Sequence, residues 1–275
     1  MAEPHPERTR RRLYGRRKGH KLSAHREGLR EALLPKLELR LKTGVDPRSY
    51  FLPPPCGEVD EHSEPGGGRA SKAASHPMPF ASLTPSTSPQ GGGDYCVEEI
   101  WLEVGFGGGE HLLELARANP RIGLIGAEPY ETGVAKLLAS IADTAISNIR
   151  IHEGDAREII DALPDACLGG VFILFPDPWP KTRHHKRRFV QMELLDALAR
   201  VMKLGAELRF ASDDAGYLAW TLERLMAHPA FVWTAERATD WKTRPQSWPQ
   251  TRYEAKALHG PPAYLLFLRR AKMAP

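Results

Sequence analysis

Apolar residues in this chain gather into seven short runs, and what lies between those runs predicts an α/β protein. The first run starts at Glu99 and carries Ile100, Trp101, Leu102 and Val104 into the glycine loop Gly105-Phe106-Gly107-Gly108-Gly109. Ile122–Ala127, Asn148–His152, Val171–Phe175, Glu207–Ala211, Phe231–Ala235 and Tyr264–Leu268 follow as further strands. Val171-Phe172-Ile173-Leu174-Phe175 is apolar at every position, as expected of a strand covered on both faces of a parallel sheet. Helical patterning over His111–Asn119, Phe189–Val201 and Ala215–His228 fills gaps between strands. The alternation predicts a doubly wound, mostly parallel seven-stranded sheet.

Outside that region the pattern changes twice. Leu33, Leu34, Leu37 and Leu41 are spaced as one face of a helix, so the far end of the N-terminal segment is expected to pack on the body. Pro53 to Asp94 then holds eight Pro and seven Gly in 42 residues, a composition that favours a flexible insert over a packed element. The expected organisation is a basic arm and helix over 1–52, an insert over 53–95 and one domain over 96–275. The last of these, of about 180 residues, is long enough for a well-buried core.

Charge sharpens this division. The chain of 275 residues has a formal net charge of +4, yet residues 1 to 30 alone carry ten Lys/Arg against three Glu. The arm is therefore +7 and the remainder −3, which suggests an electrostatic grip on a polyanion. Three scattered cysteines, Cys56, Cys96 and Cys167, have no metal-ligand spacing and point to a reduced cytoplasm. His184-His185 lack the supporting ligands of a metal site. No apolar run approaches membrane-spanning length, and the Arg-rich start has no hydrophobic segment after it.

The glycine loop is where the chemistry narrows. Glycines such as Gly105 and Gly107 let the backbone turn tightly and approach a ligand, a property shared by several nucleotide folds. Glu103 precedes the loop and Glu110 ends it, and two carboxylates there would repel a pyrophosphate. An NAD-dependent oxidoreductase is disfavoured on that ground. S-Adenosyl-L-methionine has no phosphate and carries an ammonium and a sulfonium, so the same acids suit it. Glu128, at the end of the second strand, has the offset of a ribose-binding acid. Asp155, after the third, could accept from an adenine amino group.

The most specific stretch is Pro176-Asp177-Pro178-Trp179-Pro180-Lys181-Thr182-Arg183, running into His184-His185-Lys186-Arg187-Arg188. Two prolines end the strand and hold Asp177 at its carboxyl edge, where open sheets bind ligands. Five cations follow with no acid among them. Placed before a helix at Phe189, they would oppose its dipole, so a bound polyanion accounts for them better than local stability does.

Together these segments resemble the bacterial tRNA (guanine-N7-)-methyltransferases. The resemblance spans Trp101 to about Arg269 and the arm motif Tyr14-Gly15-Arg16-Arg17-Lys18-Gly19. It rests on Glu103-Val104-Gly105-Phe106-Gly107-Gly108-Gly109, the proline turn with its basic tail, Ser212-Asp213 with Tyr217, and Thr251-Arg252-Tyr253-Glu254. The family pattern is departed from in Ala255-Lys256-Ala257-Leu258 and in the 53–94 insert. The resemblance implies a Rossmann-like class I methyltransferase fold that modifies a guanine in the variable loop of tRNA. By it, Glu103, Glu128, Asp155 and Asp177 contact the donor, and Asp177 is also the active-site acid. Lys181, Asp213, Thr251, Arg252, Tyr253 and Glu254 are the positions for the target nucleotide, and no metal is required. The residues alone leave open methylation of an exocyclic amine on another nucleic acid, or a non-catalytic RNA-binding module; they do not indicate an oligomeric state. Trp241, Trp248 and Tyr253 are candidates to stack on bases, or equally to pack their own loop.

Overall fold

The computed structural model describes residues 21–51, 97–144, 146–246, 248–249, 251, 254 and 260–271. The Tyr14–Gly19 motif, the insert, Cys56, Cys96, Arg252 and Tyr253 lie outside the described residues.

Seven strands form one sheet: β1 Glu99–Val104, β2 Ile122–Ala127, β3 Ile149–His152, β4 Leu168–Leu174, β5 Met202–Ser212, β6 Phe231–Trp233 and β7 Ala263–Arg269. Their order is β3-β2-β1-β4-β5-β7-β6. The first five run parallel, and β7 is antiparallel to both of its neighbours. The strand order reverses between β1 and β4, so a crevice opens beyond their carboxyl ends. That crevice is where the acids of the sequence converge.

The helices that connect parallel strands are α2 Glu110–Ala118, α3 Glu131–Ala142, α4 Ala156–Ala162, α5 Met192–Val201 and α6 Ala215–Ala227. They cover the sheet on both faces and divide the core in two. Along β4, Val171 and Ile173 enter one cluster while Phe172 and Leu174 enter the other. This is why that run has no polar position. A short helix, α7 Thr239–Lys242, follows β6.

Helix α5 starts three residues later than its apolar pattern suggests. Thr182–Arg187 form a 3-10 turn of their own, and Gln191 caps it, its Nε2 donating to the carbonyls of His185 (2.9 Å) and Arg188 (3.0 Å). The cations therefore sit on a separate turn at the sheet edge. Dipole repulsion from α5 is correspondingly weaker than the sequence implies.

The arm's far end does pack on the body. Helix α1, Ala24–Leu37, is capped by Ser23, whose hydroxyl accepts from the Arg26 N–H at 3.4 Å. Leu33, Leu34 and Leu37 pack on the core cluster that contains α3, and Leu41, already beyond the helix, packs on the other. Past Leu37 the backbone bridges to β3, the Leu39 N–H donating to the Ile151 carbonyl at 2.7 Å. Leu39 is buried, a contribution of roughly 1.5–3 kcal/mol.

Candidate functional site

A cleft of about 410 Å³ opens at the strand-order reversal. Four successive strand exits line it: Gly105 and Gly107 after β1, Glu128 to Tyr130 after β2, Asp155 to Arg157 after β3, and Phe175 to Trp179 after β4. Gly105, Gly107 and Gly109 all have positive φ, at 70°, 58° and 81°, a backbone path that side chains resist. A Cβ placed on Gly105 would meet nothing within 4 Å, so the turn presents bare backbone to open space. From behind, Gly133 of α3 closes on the loop; a Cβ there would stand 2.2 Å from the Gly107 carbonyl oxygen.

Three of the expected donor-binding acids are buried and already hydrogen-bonded. The Glu128 carboxylate accepts from the Gly107 N–H at 2.7 Å and the Tyr130 N–H at 2.8 Å, which ties the second strand exit to the glycine loop. Its burial, with Asp177 and Glu103 nearby, pushes its pKa up to about 7 against the pull of those two N–H groups. Asp155 caps α4 through the Arg157 N–H at 3.0 Å and is held side-on by the Arg157 guanidinium, its Nε at 2.9 and 3.0 Å from the two oxygens. Capping is thus part of its role, and an adenine amino group would have to share it with Arg157. Glu103 lies below the cleft floor, at 3% exposure, paired with the His111 Nδ1 at 2.8 Å. It borders a smaller recess together with Gly105, Phe106, Glu110, His111, Leu174 and Thr251.

Asp177 differs from all three. It is exposed at the cleft wall and, among the described residues, has no hydrogen bond or ion pair. Its surface is open to the cleft, yet the surrounding protein strips water from it and raises its pKa. The turn that carries it is strained, since Phe175 (φ 50°) and Trp179 (φ 45°) both adopt the left-handed region disfavoured for bulky side chains. Arg188 holds the turn in place. This guanidinium, 4% exposed, donates from Nε to the Pro178 carbonyl at 2.9 Å and from Nη1 to the Gly216 carbonyl of α6 at 3.1 Å. It also lies over the Tyr217 and Trp220 rings.

The basic run is therefore not uniform. Arg188 is a structural pin, and Arg187 lies 5.0 Å from the Trp179 ring centroid. Lys181, Arg183 and Lys186 face solvent. Among the described residues no cluster of three metal-ligating side chains occurs, so His184-His185 gain no partners as ligands.

The candidate nucleotide-binding positions fall on the same side. Asp213 follows the carboxyl end of β5, one strand over from the Asp177 turn. Thr251 accepts from the Glu254 N–H at 3.1 Å and reaches the recess beside Glu103. Glu254 is held by the Tyr264 hydroxyl at 2.6 Å and the Arg244 Nε at 3.0 Å. Trp248 is buried against Tyr264, with its indole over Arg209, and is a core residue with no face for a base. Trp241 packs partly against the core.

Sequence reasoning missed the partners more than the acids. Neither His111, eight residues from Glu103 across a loop of left-handed glycines, nor Arg188 as an internal pin has a spacing that announces it. Gly133 did have a signal, a glycine inside the helical pattern of α3, where close backbone approach is the usual reason.

The acids and exposed backbone of the cleft suit a cation that has hydroxyl groups. The cleft offers carboxylates and bare backbone, and of the two arginines that line it Arg157 is bound to Asp155 and Arg187 lies over the Trp179 ring. Residues 97–263 match the family described as "Putative methyltransferase". A tRNA (guanine-N(7)-)-methyltransferase of Rhodospirillum rubrum is 44% identical over 96% of this chain and 89% of its own length. One from Chelativorans sp. is 41% identical over 98% of this chain and the whole of its own. Among solved structures, an rRNA methylase from Streptococcus thermophilus overlaps 63% of this chain and 88% of its own, at 14% identity and a TM-score of 0.44.

Proposed function

This chain belongs to the tRNA (guanine-N(7)-)-methyltransferase family, and from that premise we propose that it moves the methyl group of S-adenosyl-L-methionine to N7 of a guanine in tRNA, with Asp177 at the transfer point. One observation carries the assignment of Asp177: it is the cleft acid that lacks a partner among the described residues, while the other three are already engaged.

The division of labour follows from the atoms. S-Adenosyl-L-methionine supplies an electrophilic methyl group on a sulfonium. Guanine N7 offers an in-plane lone pair and carries no proton, so the enzyme must align the reactants and needs no general base. Positive charge moves toward the purine as the bond forms. Asp177, open to the cleft and without competing donors among the described residues, stabilises that shift. Glu128 and Asp155 hold the donor together with the backbone at Gly105 and Gly107, and Glu103, paired with His111, adds negative charge from beneath. Lys181 and Asp213, with the Thr251–Glu254 segment, orient the base, while Arg183 and Lys186 hold phosphates.

N7 lies on the major-groove edge, which A-form RNA buries, so the target is a guanine outside a regular stem. The variable loop of tRNA meets that requirement. Residues 1–52 act as a basic arm on RNA, 53–95 as a spacer and 96–275 as the methyltransferase domain. A reduced cytoplasm is the proposed setting, in keeping with the half-buried Cys167, whose thiol is pushed up to about 12 by desolvation and stays protonated. No helix among the described residues is long and apolar enough to cross a membrane.

The test is to incubate the full chain with isotopically labelled donor and unmodified tRNA transcript, then digest and identify the modified nucleoside. N7-methylguanosine from the variable loop is expected. Label on an exocyclic amine, or no transfer, overturns the reading.

A further inference from the structure

Helix α1 joins the basic arm to the body, and one side chain on it reaches the segments that follow β2 and β3. The Arg30 Nη2 donates to both carboxylate oxygens of Glu153, at 2.9 and 3.0 Å. Its Nη1 lies 3.8 Å from Glu131. These two acids stand at informative places. Glu153 is in the loop after β3, two residues before Asp155. Glu131 opens α3, directly after Tyr130, whose N–H is held by Glu128. One guanidinium therefore ties together the two loops that carry two of the cleft acids.

The packing beneath has little slack. Leu33, Leu34 and Leu37 of α1 lie against the core cluster that contains Val134, Leu137, Leu138 and Ile141 of α3. On its other side α3 meets the glycine loop twice. Gly133 abuts the Gly107 carbonyl, and Leu137 leaves no room for a Cβ at Gly109, which would lie 2.7 Å from its Cδ1. The sequence of contacts runs from α1 through α3 to Gly107, whose N–H is bonded to Glu128. Close-packed interiors pass such displacements on instead of absorbing them.

We propose that Arg30 is a positioning residue of the methyl-donor site, strapping α1 across the β2–α3 and β3–α4 loops so that Glu128 and Asp155 are held at donor-binding spacing. Arg30 touches neither donor nor RNA. It acts on the affinity for the donor and leaves the transfer step alone, because Asp177 belongs to a different strand exit. Binding linkage then requires the converse: a bound donor must hold α1 more firmly on the body.

This inference rests on reading the cleft as the donor site, and the experiment separates the two. Sinefungin binding to the full chain is measured by calorimetry, and steady-state kinetics are run with tRNA saturating. Arg30→Ala is expected to weaken sinefungin about fivefold or more and to raise KM for the donor equally, with kcat within about twofold. Glu153→Gln should behave alike. Arg30→Lys, which keeps a cation facing both Glu153 and Glu131, should recover part of the affinity, and the melting temperature of each variant separates loss of folding from loss of donor binding. Hydrogen exchange supplies the second readout: sinefungin should slow exchange across residues 24–37 in the unmodified chain and fail to do so in Arg30→Ala. Unchanged donor affinity in Arg30→Ala, no recovery in Arg30→Lys, or a fall in kcat with KM constant overturns the strap. If the unmodified chain binds no sinefungin, the donor reading of the cleft falls and the strap falls with it.

Discussion

The two walls of the cleft treat negative charge in opposite ways. On the wall built from β1, β2 and β3, each carboxylate is buried and supplied with donors: Glu103 with His111, Glu128 with two backbone N–H groups, Asp155 with Arg157. On the wall built from β4 and β5, Asp177 stands open between two left-handed residues, beside cations most of which face solvent. The first wall is finished before a ligand arrives. The second is left for a ligand to complete, and its strained turn is held by Arg188 at the Pro178 carbonyl and flanked by Arg187 over the Trp179 ring. Preorganised charge on one side and uncompensated charge on the other is what a transfer between a small cation and a large polyanion calls for.

The strongest way to break that contrast is at Asp177. Removing a fixed charge that acts on the transition state costs about 100-fold or more in rate. Asp177→Ala should therefore lower the single-turnover rate of methyl transfer on that scale, while tRNA affinity, measured by filter binding, stays within about twofold. Equal losses in both would assign Asp177 to RNA binding and erase the difference between the walls.

A second test sharpens the finished wall. Glu128 titrates near 7 in the folded chain, above its ordinary value of 4.5, because burial disfavours the ionised form. As pH falls through about 7 the folded chain takes up this proton and the carboxylate loses its charge. If Glu128 holds the donor as proposed, a cationic ligand favours its ionised form. Affinity for sinefungin should thus fall as pH drops below about 7, by at most tenfold per unit, and Glu128→Gln should bind weakly with a flat profile over that range. The contribution of this group to the stability of the unliganded chain has the opposite sign. The burden of burying the charge is fully present above about 7 and is relieved as pH falls toward 4.5. A sinefungin profile that is flat from pH 5.5 to 8 in the unmodified chain would leave Glu128 without a charge-based role.

Much of this contrast was legible in the sequence, but unevenly. The seven strands were readable because both faces of the sheet are covered, so runs such as Val171–Phe175 contain no polar position. The acids were readable because each lies at or just beyond the carboxyl end of a strand, and chain order alone brings those ends to one edge of a parallel sheet. Their partners were not, because hydrogen bonds such as that from His111 to Glu103 depend on how a loop folds back. Helix α5 was drawn too long for a related reason: Phe189 and Val190 continue its apolar pattern, yet the Tyr217 hydroxyl and the Gln191 side chain fix the chain there in a different geometry. Trp248 was ambiguous in a proline-punctuated loop and proved to be core, since Arg209 and Tyr264 come to it from β5 and β7, far along the chain.

The smallest effects are expected within the basic run, where they separate pin from grip. Arg183 and Lys186 are exposed, so Arg183→Ala and Lys186→Ala should leave the melting temperature unchanged. If each meets a phosphate, each should weaken tRNA binding a few-fold and lower the slope of log K against log salt by about 1. Arg188→Ala is the informative control, because it removes charged hydrogen bonds that join Pro178 to Gly216. It should cost about 2 kcal/mol of stability, read as a lowered melting temperature, with the salt slope intact. A salt slope that falls equally for all three would mean that burial does not sort these cations, and the open wall would then have no internal support of its own.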